Sequence, residues 1–65
     1  MIEITKIEGG YVVSATPPHV SEMWQTVLPM PAHFVVAELL SRGAHQTDIG
    51  DAFYAEDPNW LENSN

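Results

Sequence analysis

Polar and apolar residues alternate with a period of two at the start of the chain and with a helical period after Pro31. Ile2 and Ile4, with Lys6, point one way, while Glu3, Thr5 and Ile7 point the other. A two-residue period is that of a strand. Gly9-Gly10 follows, and a Gly pair supplies the positive φ angles of a tight turn. Residues 11–16 are rich in β-branched and aromatic side chains, as strands are. Pro17-Pro18 ends the run, because proline donates no ladder hydrogen bond. Residues 2–16 therefore read as a β-hairpin. Two strands alone are marginal, so helices must cover one face. Ile7 interrupts the alternation and leaves the register open by one residue.

Residues 21–28 predict a short helix. Ser21 is its N-cap, Glu22 lies in its first turn, and Met23, Trp24, Val27 and Leu28 form one apolar face. Pro29-Met30-Pro31 breaks it, and Pro31 serves as first residue of the next helix. Residues 32–42 are the most apolar run. Val35, Val36, Leu39 and Leu40 make its inner face, with Phe34 nearby. Arg42 and Gly43 suit its end. Thr47 caps a third helix reaching about Ala55, with Ile49, Ala52 and Phe53 inward and Asp48 and Asp51 on the opposite side. Asp57-Pro58 opens a final helical turn, which Trp60 and Leu61 pin to the core. The expected architecture is a small α+β single domain over residues 1–62. Its N-terminal antiparallel β-hairpin packs against three or four short helices around Val36, Leu39, Leu40, Ile49 and Phe53. Residues 63–65 are read as a frayed tail.

Composition narrows this further. A 65-residue domain buries only about 60% of the surface its unfolded chain exposes. There is no cysteine, so no disulfide staples it and no thiolate serves a metal or a nucleophile. A reducing cytoplasm is the expected compartment. No signal-peptide pattern opens the chain, and no apolar run approaches the roughly 18 residues of a membrane span. Two basic residues, Lys6 and Arg42, stand against nine acids, for a net charge of -7. That balance disfavours direct binding to nucleic acid or to anionic membranes and favours a basic protein partner.

Candidate chemistry is sparse. His19, His33 and His45 match no metal-ligand spacing, and a cluster of His45 with Asp48 and Asp51 is conceivable. Ser14, Ser21 and Ser41 lie in no nucleophile elbow, and no phosphate-binding loop is present. The chain is expected to be no enzyme and to use no cofactor or metal. Val35 to Phe53 has the outline of a helix-turn-helix, but Leu39 stands where a small residue is usual. Its second helix also carries Asp48 and Asp51 in place of Lys or Arg. Trp24, Trp60, Met23 and Met30 are better read as core than as docking surface. Tyr54 is the better surface aromatic.

The acids remain. Asp48, Asp51, Glu56, Asp57 and Glu62 are five of the nine carboxylates, in a segment with no base. The bland reading is solvation. Against it, single-sign surfaces carry self-repulsion and suit a use of their field. Carboxylates held on a rigid face imitate a row of phosphates.

In size, acidity and mixed layout the chain resembles the small acidic phage proteins that inhibit bacterial defence, especially anti-CRISPR proteins of type I systems. The likeness runs over the hairpin, the helices after Ser21 and the acids after Thr47, and rests on no diagnostic motif. It implies a stoichiometric inhibitor that occupies the basic DNA-binding surface of a Cascade-type large subunit by DNA mimicry, as a monomer or weak dimer. Asp48, Asp51, Glu56, Asp57 and Glu62 would meet the partner, with Tyr54, Glu22 and Glu38 contributing. The alternative is an assembly adaptor or small chaperone subunit that buries Trp24, Phe34 or Trp60 in a complex.

Overall fold

The N-terminal alternation becomes β1, Ile2–Ile7, and β2, Gly10–Ala15, in a computed structural model that describes residues 1–63. The strands pair antiparallel, with Ile2 opposite Ala15, Ile4 opposite Val13 and Lys6 opposite Tyr11. Side chains alternate across a strand, so Ile4, Tyr11, Val13 and Ala15 share one buried face. Glu3, Thr5, Val12 and Ser14 lie on the other, as does the exposed Ile7 that broke the alternation. The loop is Glu8-Gly9, one residue earlier than expected, because Ile7 pairs with Gly10. Gly10 is still required. Its φ is +149°, and a Cβ there would lie 2.5 Å from the carbonyl oxygen of Met30.

Residues 21–28 do not form a helix. Trp24–Gln25 is a third strand, β3, antiparallel to β2, and the sheet order is β1-β2-β3. A lone eight-residue helix stopped by Pro29 makes few hydrogen bonds of its own. The free edge of β2 offers partners to the same backbone groups. The Thr26 N–H donates to the Val13 carbonyl at 3.0 Å, and the Val13 N–H donates to Thr26 Oγ1 at 2.9 Å. Tyr11 and Met30 exchange backbone bonds of 2.9 and 3.0 Å. Ser21, expected as a cap, donates its N–H to the Arg42 carbonyl at 2.9 Å. Of the four side chains assigned to an apolar helix face, only Trp24 packs on the core; Met23, Val27 and Leu28 are exposed.

The first helix, α1, spans Ala32–Ser41, with Pro31 at the N-cap, one position before the expected one. Ala32, Val35 and Leu39 are its buried stripe, and Val36 flanks it. Leu40, expected in the core, is 46% exposed, because about 100° of helix turn separates it from Leu39. Gly43, with φ +93°, ends the helix in a Schellman arrangement: its N–H donates to Leu40 O at 3.1 Å and the Ala44 N–H to Leu39 O at 2.9 Å.

The second helix, α2, spans Gln46–Glu56 and buries Ile49 and Phe53. Its cap is His45, whose Nδ1 accepts the Thr47 N–H at 3.2 Å, so Thr47 sits inside the helix it was expected to cap. The third, α3, is Trp60–Asn63, two residues later than expected: Pro58 and Asn59 form the turn before it, where Asp57 Oδ1 accepts the Asn59 N–H at 3.0 Å. Trp60 stacks on Phe53 at 4.4 Å, and Phe53 meets Tyr11 edge-on at 5.1 Å. Leu61, expected beside Trp60, is 67% exposed. Ser64 and Asn65 of the tail read as frayed lie outside the described residues, and Asn63 closes α3.

The architecture is thus a small α+β domain in which a three-stranded antiparallel sheet buries one face. On that face α1 packs on β2 and α2 on β1, while α3 leans on α1. Val35, Leu39, Ile49 and Phe53 are its largest fully buried side chains.

Candidate functional site

Two of the five leading acids are drawn into the fold. The Asp57 side chain is only 13% exposed, and its Oδ2 accepts from Lys6 Nζ at 3.0 Å. The Tyr11 hydroxyl stands 3.5 Å from the same oxygen. Glu56 Oε2 accepts the backbone N–H of Lys6 at 2.9 Å, which ties the end of α2 to the outer edge of β1. Asp57 was expected outside. It turns inward because the chain reverses there: Asp57 ends α2, its Oδ1 accepts the Asn59 N–H, and its Oδ2 faces Lys6 at the end of the hairpin. Lys6, some fifty positions away, is the partner the sequence reading missed. No local pattern signals a contact between residues that far apart.

The Lys6–Asp57 contact shapes two protonation equilibria. The hydrogen bond to Asp57, reinforced by its charge, raises the Lys6 ammonium above its ordinary value. Burial raises the Tyr11 hydroxyl, and the Asp57 charge adds to it. Both effects favour the protonated form, so the contact behaves as a structural clasp.

Glu38, a second-rank candidate, pairs with Arg42 at 3.2 Å, four residues on along α1. The Arg42 guanidinium also lies 4.8 Å from the centre of the Trp24 ring, which holds β3 against the end of α1. Glu22 is exposed and borders a shallow recess with Ser21, Ser41 and Arg42. Glu62 is exposed on α3, and Tyr54 is 63% exposed on α2.

Asp48 and Asp51 do come together as the helical spacing requires. With Met1, Ile2, His19 and Ala52 they line an open recess of about 280 Å³. Asp48 is three residues past the cap, where the positive end of the helix dipole favours a carboxylate. His45 faces the start of its own helix as a cap and does not join them. Among the described residues no three His, Cys, Asp or Glu side chains are placed to hold a metal ion. No helix among them is long and apolar enough to cross a membrane.

The basic residues decide what this charge can do. Lys6 pairs with Asp57 and Arg42 with Glu38. Seven acids remain, Glu3, Glu8, Glu22, Asp48, Asp51, Glu56 and Glu62, and the chain contains no further Lys or Arg to set against them. Trp24 and Trp60 pack against the core, as expected of large side chains in a small domain. No family model, curated protein or solved structure matches the chain.

Proposed function

We propose that the protein is a non-enzymatic inhibitor that occupies a basic DNA-binding surface of a bacterial defence complex, with a type I CRISPR effector as the favoured target. The observation that carries this reading is the engagement of both basic side chains in internal ion pairs. The remaining seven carboxylates sit on a packed scaffold with no further Lys or Arg in the chain to offset them. A groove that binds DNA by releasing counterions takes such a surface by the same physics.

Magnitudes limit how far mimicry goes. The molecule is 27 Å long. A duplex of that length carries about 16 phosphates at one per ~1.7 Å. Seven carboxylates supply less than half that charge. Electrostatics of this strength steers and orients a partner more than it holds one. The assembly-adaptor alternative relied on Trp24, Phe34 and Trp60. With both tryptophans packed on the core, Phe34, 46% exposed, is the one of the three left open to a partner.

The test uses a purified type I effector complex and its target duplex. Wild-type protein should block duplex binding at low salt and lose potency as salt rises. The double variant Asp48→Lys/Asp51→Lys should keep the fold and lose inhibition. Inhibition that survives the double reversal with the same salt dependence defeats the mimicry reading.

A further inference from the structure

The edge of the sheet carries a feature that mimicry does not use. Trp24 pairs with Ala15 and Gln25 with Ser14. Continued without interruption, that ladder sets Leu28 opposite Tyr11. Met30 stands there instead, bonded to Tyr11 through both backbone groups. Two extra residues are therefore looped out between Thr26 and Met30, which makes a bulge larger than the usual one-residue kind in the edge strand. Val27 and Leu28 are 88% and 72% exposed on it. The bulge is clamped at both ends, by the Thr26–Val13 bonds on one side and the Tyr11–Met30 pair on the other. Gly10 lets Met30 approach that closely.

A bulge protects an edge strand from unwanted pairing, as charged side chains on an edge also do. Here the tip is two adjacent aliphatic side chains, and Val27 borders an open groove on the solvent face of the sheet with Val12, Thr5 and Glu3. We propose that this bulge is an apolar anchor: Val27 and Leu28 insert into an apolar pocket on a basic protein partner. A second copy of the chain is the poorer occupant, because each copy brings a net charge of -7. A partner with a basic rim matches both the net charge and Glu3 beside the knob. The two clamps fix the tip before binding, so little ordering is needed when it docks. The anchor rests on the inhibitor reading and supplies the affinity that seven carboxylates lack.

The experiment compares wild type with Val27→Ser/Leu28→Ser for binding to the same purified effector complex across a salt series. Both side chains are exposed, so the variant should melt like wild type. Its affinity should fall roughly 10- to 100-fold, the range for losing two buried apolar contacts, with the salt slope unchanged. Equal affinity of variant and wild type overturns the anchor and leaves the inhibitor reading standing. No binding by wild type overturns both. Wild-type dimerisation in sedimentation that the variant lacks overturns the choice of partner in favour of a second copy.

Discussion

At the scale of the residue, glycines at different positions do opposite things. Gly10 has its backbone pressed against Met30, and the atom a Cβ would strike is a carbonyl oxygen that cannot rotate away. Gly50 lies inside α2 with nothing within 4 Å of a Cβ. Gly10→Ala should therefore destabilise the domain by roughly 2 kcal/mol or more, through clash and strain together. Gly50→Ala should stabilise it by about 0.5–1 kcal/mol, because alanine is the better helix former. Urea melts of the two variants check both signs. Phe53 shows the same positional logic in the core. It touches Tyr11 on one side and Trp60 on the other, and so joins β2, α2 and α3.

At the scale of the element, β3 is the informative one. Its sequence has helical spacing, and two strand residues make a weak element on their own. The segment is extended because β2 has an open edge, and because Thr26 meets Val13 with both its backbone and its hydroxyl. Thr26→Val keeps the β-branched shape and removes the acceptor for the half-buried Val13 N–H. The expected loss is about 1–3 kcal/mol, since that donor is left unsatisfied. Hydrogen exchange at the Val13 amide should speed up more than exchange at Ile49. Equal stability of the variant would mean that the edge pairing, not the hydroxyl, holds β3. The other elements follow their own patterns more directly. The Ala32, Val35, Leu39 stripe and the Ile49, Phe53 pair are buried where helical periodicity puts them.

At the scale of the whole molecule, the Lys6–Asp57 clasp closes the two ends of the fold, β1 against the turn between α2 and α3. Lys6 and Tyr11 each hold a proton more tightly folded than unfolded, from ordinary values of 10.5 and 10.0. In that case the native state binds more protons than the unfolded state in alkali, so stability falls as pH rises. The melting temperature should be insensitive to these two groups up to about pH 10 and should fall as pH climbs through their raised values. Lys6→Met should remove the lysine part of that alkaline decline, and Tyr11→Phe the tyrosine part. A melting temperature that rises between pH 9 and 11 contradicts the assignment. The same clasp draws Asp57 in from the outer surface and leaves Asp48, Asp51 and Glu62 as the acids best placed to meet a basic surface.

The sequence by itself determined what depends on near neighbours. The hairpin followed from alternation and a Gly pair. The burial of Val35 and Leu39 on α1 and of Ile49 and Phe53 on α2 followed from the 3.6-residue period, and the end of α1 from Gly43. The pairing of Asp48 with Asp51 on one face was legible for the same reason. Net charge also needs no structure, because it is a count. Only the tertiary structure decided which backbone groups of residues 21–30 found partners, since that depends on the free edge of a strand ten residues earlier. It alone decided that Lys6 meets Asp57, and that Val27 and Leu28 stand out in solvent. Local spacing states which side chains share a face. What that face meets is set by long-range packing, where a hydrogen-bonding edge outweighs the helical preference of eight residues between prolines.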